Sequence, residues 1–370
     1  MIAWRQGTVV SIDDGWPGAR PVLVRTGDDD VRAMAYPELV GPLVVGAQVL
    51  LNVSALVRGL GTGGYALVVA RTDQLPADPP VGPGHLVKAR YTPLQAMVLG
   101  VDEQESAYHE VLREADDLAG LPVVVADLHS ALPAIVAGAR LAALRAGRTE
   151  PRVAYVLTDG GALPAWFSRT VAALRAAGWL ASCLSTGQSF GGDLEAVSVH
   201  SGLLAARHVV GADLVVVAQG PGNLGTGTRW GFSGVAAGEA VNAAAVLGGR
   251  PVASLRVSGV DARERHRGVS HHSLTAYGRV ALAPADVVVP VFDGELAALG
   301  ERVSTQAAVL GAPTGQHRLV RVAADAGLRA ALAAAPVRLS TMGRGLDQDP
   351  AAFLAAAVAG MHAEDLADRS

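Results

Sequence analysis

Cysteine occurs once in the 370 residues, lysine once, and aromatic side chains make up only 4%. A lone thiol, Cys183, excludes an intramolecular disulfide and a cysteine-built zinc site, so a reducing, cytoplasmic setting is expected. It lies in the apolar run WLASCLS, where an inert core position is expected. Basic residues number 30 against 34 acidic ones, for a net charge of −4. That leaves no excess to neutralise a phosphate backbone, and nucleic acid is not an expected partner. Apolar runs are broken well short of the roughly 18 to 20 residues that cross a bilayer, so no membrane span is expected. The opening MIAWRQGTVVSIDD alternates and carries acids early, unlike a secretory leader, and the mature chain is expected to begin at Met1. Serines abound, yet no GxSxG elbow occurs, which gives a Ser-His-Asp hydrolase little support.

What is present is small and aliphatic. Hydrophobic residues form 50% of the chain and charged residues 17%, so the core must be built from Ala, Val and Leu. Abundant alanine beside the single Lys88 points to a GC-rich bacterial genome. The length suggests two or three domains, at about 150 residues each.

From Trp4 to about Thr72 short alternating runs (GTVVSI, PVLVRT, VRAMAY, QVLLNV, YALVVA) predict a small antiparallel β-barrel, with residues 1–76 assigned to it. The segment DQLPADPPVGPG removes helix and ladder hydrogen bonding, and residues 77–84 are expected to be a linker. Residues 85–370 then alternate apolar runs with Ala-rich stretches, the pattern of an α/β domain with a mostly parallel, helix-covered sheet. Strands are predicted at 122–126, 152–157, 179–184, 214–218, 251–257, 286–291, 318–322 and 337–340. Helices are predicted at 104–118, 133–144, 164–177, 203–210, 233–247, 296–309, 324–334 and 350–359.

Ligands of open α/β sheets bind beyond the carboxyl ends of the strands, so polar segments directly after strands are the informative ones. Five stand out: ADLHSALP, TDGGALP, STGQSFGGDLE, QGPGNLGTGTRWGFSG and DARERHRGVSHHS. In the fourth, Gly220, Gly222 and Gly225 have GxGxxG spacing, which lets backbone amides approach a phosphate. A dinucleotide loop would start its helix at once and end the next strand on an acid, and neither follows here. An anion loop using Thr226, Thr228 and Arg229 remains, as does a purely structural glycine loop.

The fifth segment holds His266, His271 and His272 among Arg263, Arg265 and Arg267. This is the expected catalytic group, with Arg267 holding an anionic substrate; the competing reading is histidines that cap helix ends beside solvated arginines. Adjacent side chains diverge by about 100° on a helix, so one ring of the His271–His272 pair is expected to face the site. Asp127 and His129 form a DxH pair similar to the opening motif of metallophosphoesterases, whose later signatures are absent. With Asp159 they make an expected set of ligands for a divalent metal ion, although Asp159 equally suits a turn at Gly160 and Gly161. Trp166, Trp230 and Phe232 either stack on a ring-bearing substrate or pack the core.

These segments, together with LVKARYTPLQAMVLGVDEQ and MGRGLDQDP, resemble a bacterial family known as domain of unknown function 3866. The resemblance implies one integral chain of bacterial origin and brings no activity with it. The residues themselves favour an enzyme that acts on a small anionic or phosphorylated metabolite by metal-assisted hydrolysis or group transfer. The rival readings are a small-ligand sensor without catalysis and a structural subunit without a ligand.

Overall fold

The computed structural model describes residues 1–367. Five strands, β1 (Trp4–Ile12), β2 (Arg20–Thr26), β3 (Asp29–Ala35), β4 (Gln48–Asn52) and β5 (Ala66–Arg71), close a barrel in the order β1-β2-β3-β5-β4. Alternate residues such as Val9, Val22, Val24, Ala33, Val49, Leu51 and Val68 point inward and fill it, as the two-residue period requires. All pairings are antiparallel except β3 with β5. This is the strand order of an OB-type barrel, whose β2–β3 face and adjoining loops commonly take ligands. Here part of that surface is occupied by the protein itself. Trp16, in the β1–β2 loop, donates its indole N–H to the Trp166 carbonyl at 2.6 Å, and Met34, Tyr36, Tyr65 and Leu67 cluster with Trp166 and Phe167.

Residues 72–85 contain no helix or strand, as their prolines dictate. A short antiparallel hairpin follows, β6 (Leu86–Lys88) with β7 (Ala96–Val98). The predicted helix at 104–118 is a correction: only His109–Leu112 is α-helical. Side chains there bind nearby backbone instead, Glu103 accepting from Gly100 N and Ser106 donating to the Val101 carbonyl, and such local bonds compete with a helix.

The main sheet has eight parallel strands: β8 (Pro122–Val125), β9 (Val153–Thr158), β10 (Ser182–Ser185), β11 (Leu194–Glu195), β12 (Leu214–Gln219), β13 (Arg250–Ser254), β16 (Asp286–Val291) and β17 (Arg318–Ala323). Their order is β11-β10-β9-β12-β8-β13-β16-β17. The chain starts in the middle at β8, runs to one edge through β9, returns to β12, then crosses β8 to reach the other edge. Right-handed crossovers toward opposite edges place their helices on opposite faces, so β8 and β12 flank the topological switch point. Helix Leu132–Arg145 packs on the C-terminal helix Pro350–Leu366, and helix Ala236–Val246 packs on a π-helical turn at Ala276–Val280. The first contact explains part of the alanine content. A Cβ on Gly138 would lie 1.9 Å from the Ala357 carbonyl oxygen, so only small residues allow the two helices this close.

Strand β10 begins at Ser182, later than the expected 179. The strand predicted at 337–340 is also corrected: β18 (Ser340–Thr341) pairs only with β19 (Arg344–Gly345) in a separate hairpin, and the sheet already ends at β17. A last two-stranded element, β14 (Val257–Ser258) with β15 (Gly268–Val269), frames the loop that follows β13. No described helix is long and apolar enough to cross a membrane.

Candidate functional site

The switch point carries the densest polar cluster. β8 ends at Val125, and two residues on Asp127 is 3% exposed. At the end of β12, Gln219 donates its side-chain amide to the Asp127 carbonyl at 2.7 Å, tying the two strand ends together. Gly234 lies against them, where a Cβ would come within 3.0 Å of Asp127 Cβ. Buried Tyr277 donates to the carbonyls of Val125 and Ser254 at 2.8 and 3.1 Å and so fixes the ends of β8 and β13.

Asp127 Oδ2 accepts no hydrogen bond. It faces Arg256 Nη1 at 3.6 Å and His272 Nδ1 at 3.4 Å. Burial works against its ionised form, but His272 and Arg256 outweigh it and hold the carboxyl below its ordinary value. Arg256 Nη1 also lies 3.0 Å from His272 Nδ1, so that nitrogen accepts from Arg256 in one tautomer and donates toward Asp127 in the other. Phe232 stacks on the His272 ring, with centroids 3.8 Å apart and planes within 5° of parallel.

His266, His271 and His272 form a compact group in which one ring nitrogen from each lies within 4.8 Å of the others. His266 Nδ1 meets Ser270 Oγ at 2.8 Å, while His271 Nε2 is buried with no hydrogen-bond partner. Burial, then the charges of Arg256 and Arg263, push His266 down to about 3. Burial, then His272 and Arg265, push His271 down to about 4. Both rings are therefore neutral at pH 7. The rings of His271 and His272 lie 4.4 Å apart and both meet His266. They open a five-residue helix, His271–Thr275, capped by Ser270, and the turn before it carries His266 back over them.

The sequence-derived metal set is not brought together. His129 spends both ring nitrogens elsewhere, Nδ1 on the Tyr155 hydroxyl at 3.0 Å and Nε2 on Ser168 Oγ at 2.7 Å. Burial pushes it down to about 4. Asp159 accepts from the Gln188 backbone N–H at 2.9 Å and shapes the loop after β10. Among the described residues the three histidines are the only group of His, Cys, Asp or Glu with ligand atoms this close.

The glycine loop braces itself. Thr226 and Thr228 share a hydrogen bond of 3.1 Å and both engage Gly231, while Gly225 bridges to Phe232 and Gly220 packs on Gly161. Gly222 is at φ +94°, with open space where a Cβ would point. The arginines divide into two groups. Arg263 makes a two-pronged pair with Asp261, both contacts 3.0 Å, and Arg267 Nε donates to the Asp261 carbonyl at 2.9 Å. Arg229 and Arg265 have no acid partner among the described residues, and Arg265 lies beside Gly227 of the glycine loop.

Arg256 and Gln219 were missed in the sequence. Arg256 falls inside the strand expected at 251–257, whereas β13 ends at Ser254 and leaves Arg256 two residues beyond it at the rim. A second buried pair was missed too. Lys88 donates to the carbonyls of Ser189 and Ala196, both 2.9 Å, and lies 3.6 Å from Glu195, whose carboxyl burial pushes up to about 7. It clasps the loop after β10. Cys183 is buried, its thiol pushed well up by burial.

A cleft of about 1410 Å³ lies elsewhere, between the barrel, the 72–85 segment and Trp166. It holds none of the histidines, although Glu195, whose Oε2 is also without a hydrogen bond, lines it; the rim is the better candidate because three histidines, Arg256 and the unpaired polar atoms of Asp127 and His271 converge there.

Fold and site thus define a parallel α/β protein with a polar cluster at its switch point and an OB-type barrel docked alongside. The chain belongs to the family described as protein of unknown function, DUF3866, whose model matches residues 32–360. That span runs from within β3 through the barrel, the proline segment and the sheet to the C-terminal helix. No curated protein matches the chain.

Proposed function

We propose that this protein is an enzyme that hydrolyses, or transfers a group on, a small anionic metabolite at the rim of its parallel sheet. The observation that carries the reading is the Asp127 carboxylate, buried at the switch point with one oxygen free of hydrogen bonds and flanked by Arg256 and His272. A buried, unsatisfied carboxylate oxygen costs about 1 to 3 kcal/mol or more, a cost that a reactive centre tolerates. In this reading Asp127 orients the His272 ring and balances charge at the centre, and Arg256 holds the carboxylate ionised. Arg265 and Arg229, free of acids, and the backbone of the Gly222–Gly231 loop hold the anion.

A panel of phosphomonoesters, nucleotides and di- and tricarboxylates, screened by thermal melting and then for consumption, tests it. A ligand at a hundredfold excess over Kd adds about 2.7 kcal/mol, a shift of several degrees. At least one anion should stabilise the protein and be consumed. Asp127→Asn should keep the stabilisation and lose turnover by about 100-fold or more. Tight binding without consumption would make the protein a sensor, and neither effect would favour a structural subunit.

A further inference from the structure

We propose that His266, His271 and His272 together bind one divalent transition-metal ion of the zinc class. The proposal rests on the reading of the rim as a reactive centre and names the cofactor of that centre. Three imidazoles are the donor set for which such ions compete best, and three protein ligands leave the fourth position of a tetrahedral ion open for water or substrate.

The hydrogen bonding around the rings supports this. His266 Nδ1 is taken by Ser270, which leaves its Nε2 free. His272 Nδ1 lies 3.0 Å from Arg256 Nη1 and 3.4 Å from Asp127 Oδ2, and its Nε2 is left without a hydrogen bond. His271 Nε2 is buried with no hydrogen-bond partner. A stacked histidine cluster with a purely structural role would satisfy that nitrogen, because an orphaned buried acceptor or donor costs about 1 to 3 kcal/mol. Ligand nitrogens of a tetrahedral ion at about 2.0 to 2.1 Å stand roughly 3.4 Å apart. One ring nitrogen from each histidine already lies within 4.8 Å of the others, and coordination requires these separations to close toward that value.

The surroundings match what such a centre needs. With Nε2 on the metal, His272 carries its proton on Nδ1 and donates it in a hydrogen bond to Asp127, giving up the bond from Arg256; this is the carboxylate–histidine–metal arrangement that fixes tautomer and ring orientation. Ser270 plays the same part for His266. Arg256 keeps its charge opposed by Asp127, and Arg265, without an acid partner and beside Gly227 of the glycine loop, is available to an anionic group on the open position. Phe232 stacked on His272 restricts that ring and sheds water from one side.

Titration of the full-length protein, freed of metal by chelator, with Co²⁺ tests the proposal by a readout independent of activity. One equivalent should bind, give the visible d–d absorption of a tetrahedral nitrogen site, and be displaced by Zn²⁺. His271→Gln and His266→Gln should each abolish the bands while circular dichroism reports a folded chain. Asp127→Asn should weaken binding about 10- to 100-fold. The exposed His200→Ala should change nothing. Absence of the bands in the wild type, or their persistence in both folded histidine variants, overturns the metal site. Bands without consumption of any metabolite uphold the metal site and retire the enzyme reading. Turnover with no bands does the reverse.

Discussion

Asp127 and His129 sit two residues apart after one strand, yet they end in different environments. An extended chain would send both side chains to one face, but a 3-10 turn begins at His129 and rotates it toward Tyr155 and Ser168. The DxH motif therefore disclosed Asp127 as a rim residue and misassigned the partner, because nothing in the residue types marks where the turn starts. Tyr155 donates to the carbonyl of Gln219 at 2.9 Å, so it accepts from His129 Nδ1–H, and His129 Nε2 accepts from Ser168. This arrangement holds only for the neutral ring. With a folded value of about 4 against an ordinary 6.5, the folded state binds the proton less readily than the unfolded chain. The stabilisation is therefore full above pH 6.5 and is lost as pH falls toward 4. The loss should be on the order of 3 kcal/mol. Urea denaturation of the wild type and His129→Asn at several pH values checks this: the wild type should lose more stability between pH 6.5 and 4, and parallel losses would contradict it.

The helix His271–Thr275 does for the histidines what no propensity scale anticipates in DARERHRGVSHHS. Read as a polar loop, the segment instead folds into a 3-10 turn, the strand β15 and a helix whose first two residues are the adjacent histidines. Ser270 is the pivot. Its hydroxyl caps the helix by accepting from His272 N and also meets His266 Nδ1, and its N–H donates to the Arg256 carbonyl at 2.8 Å. Ser270→Ala should cost about 1 to 2 kcal/mol in urea unfolding, with Ser270→Thr recovering most of it. A neutral Ser270→Ala would show that the cap does not hold the histidines. Elements with strong periodicity were legible: the five barrel strands and most strands of the sheet lie where their apolar runs place them. Those governed by side-chain bonds to backbone were not, as 104–118 shows, because Glu103 and Ser106 are common in helices as well as in turns.

Strand order is the property of the whole molecule that sequence could not supply, and it makes the site. The return of β12 to the side of β8, and the crossover from β12 past β8 to β13, bring Gln219 and Arg256 to Asp127 from about a hundred residues away or more. The barrel was legible as a barrel, but its docking through Trp16 and Trp166 was not, since that contact joins residues 150 apart. Docking creates a cleft far larger than the water-sized cavities beside Asp127. Two places thus compete for a ligand, and location decides between them. The measurement is a crystal structure of the protein soaked with the anion that most raises its melting temperature. The rim account expects the anion between the Gly222–Gly231 loop and His271, within reach of Arg265; density in the cleft beside Trp166, with the rim unchanged, would contradict it.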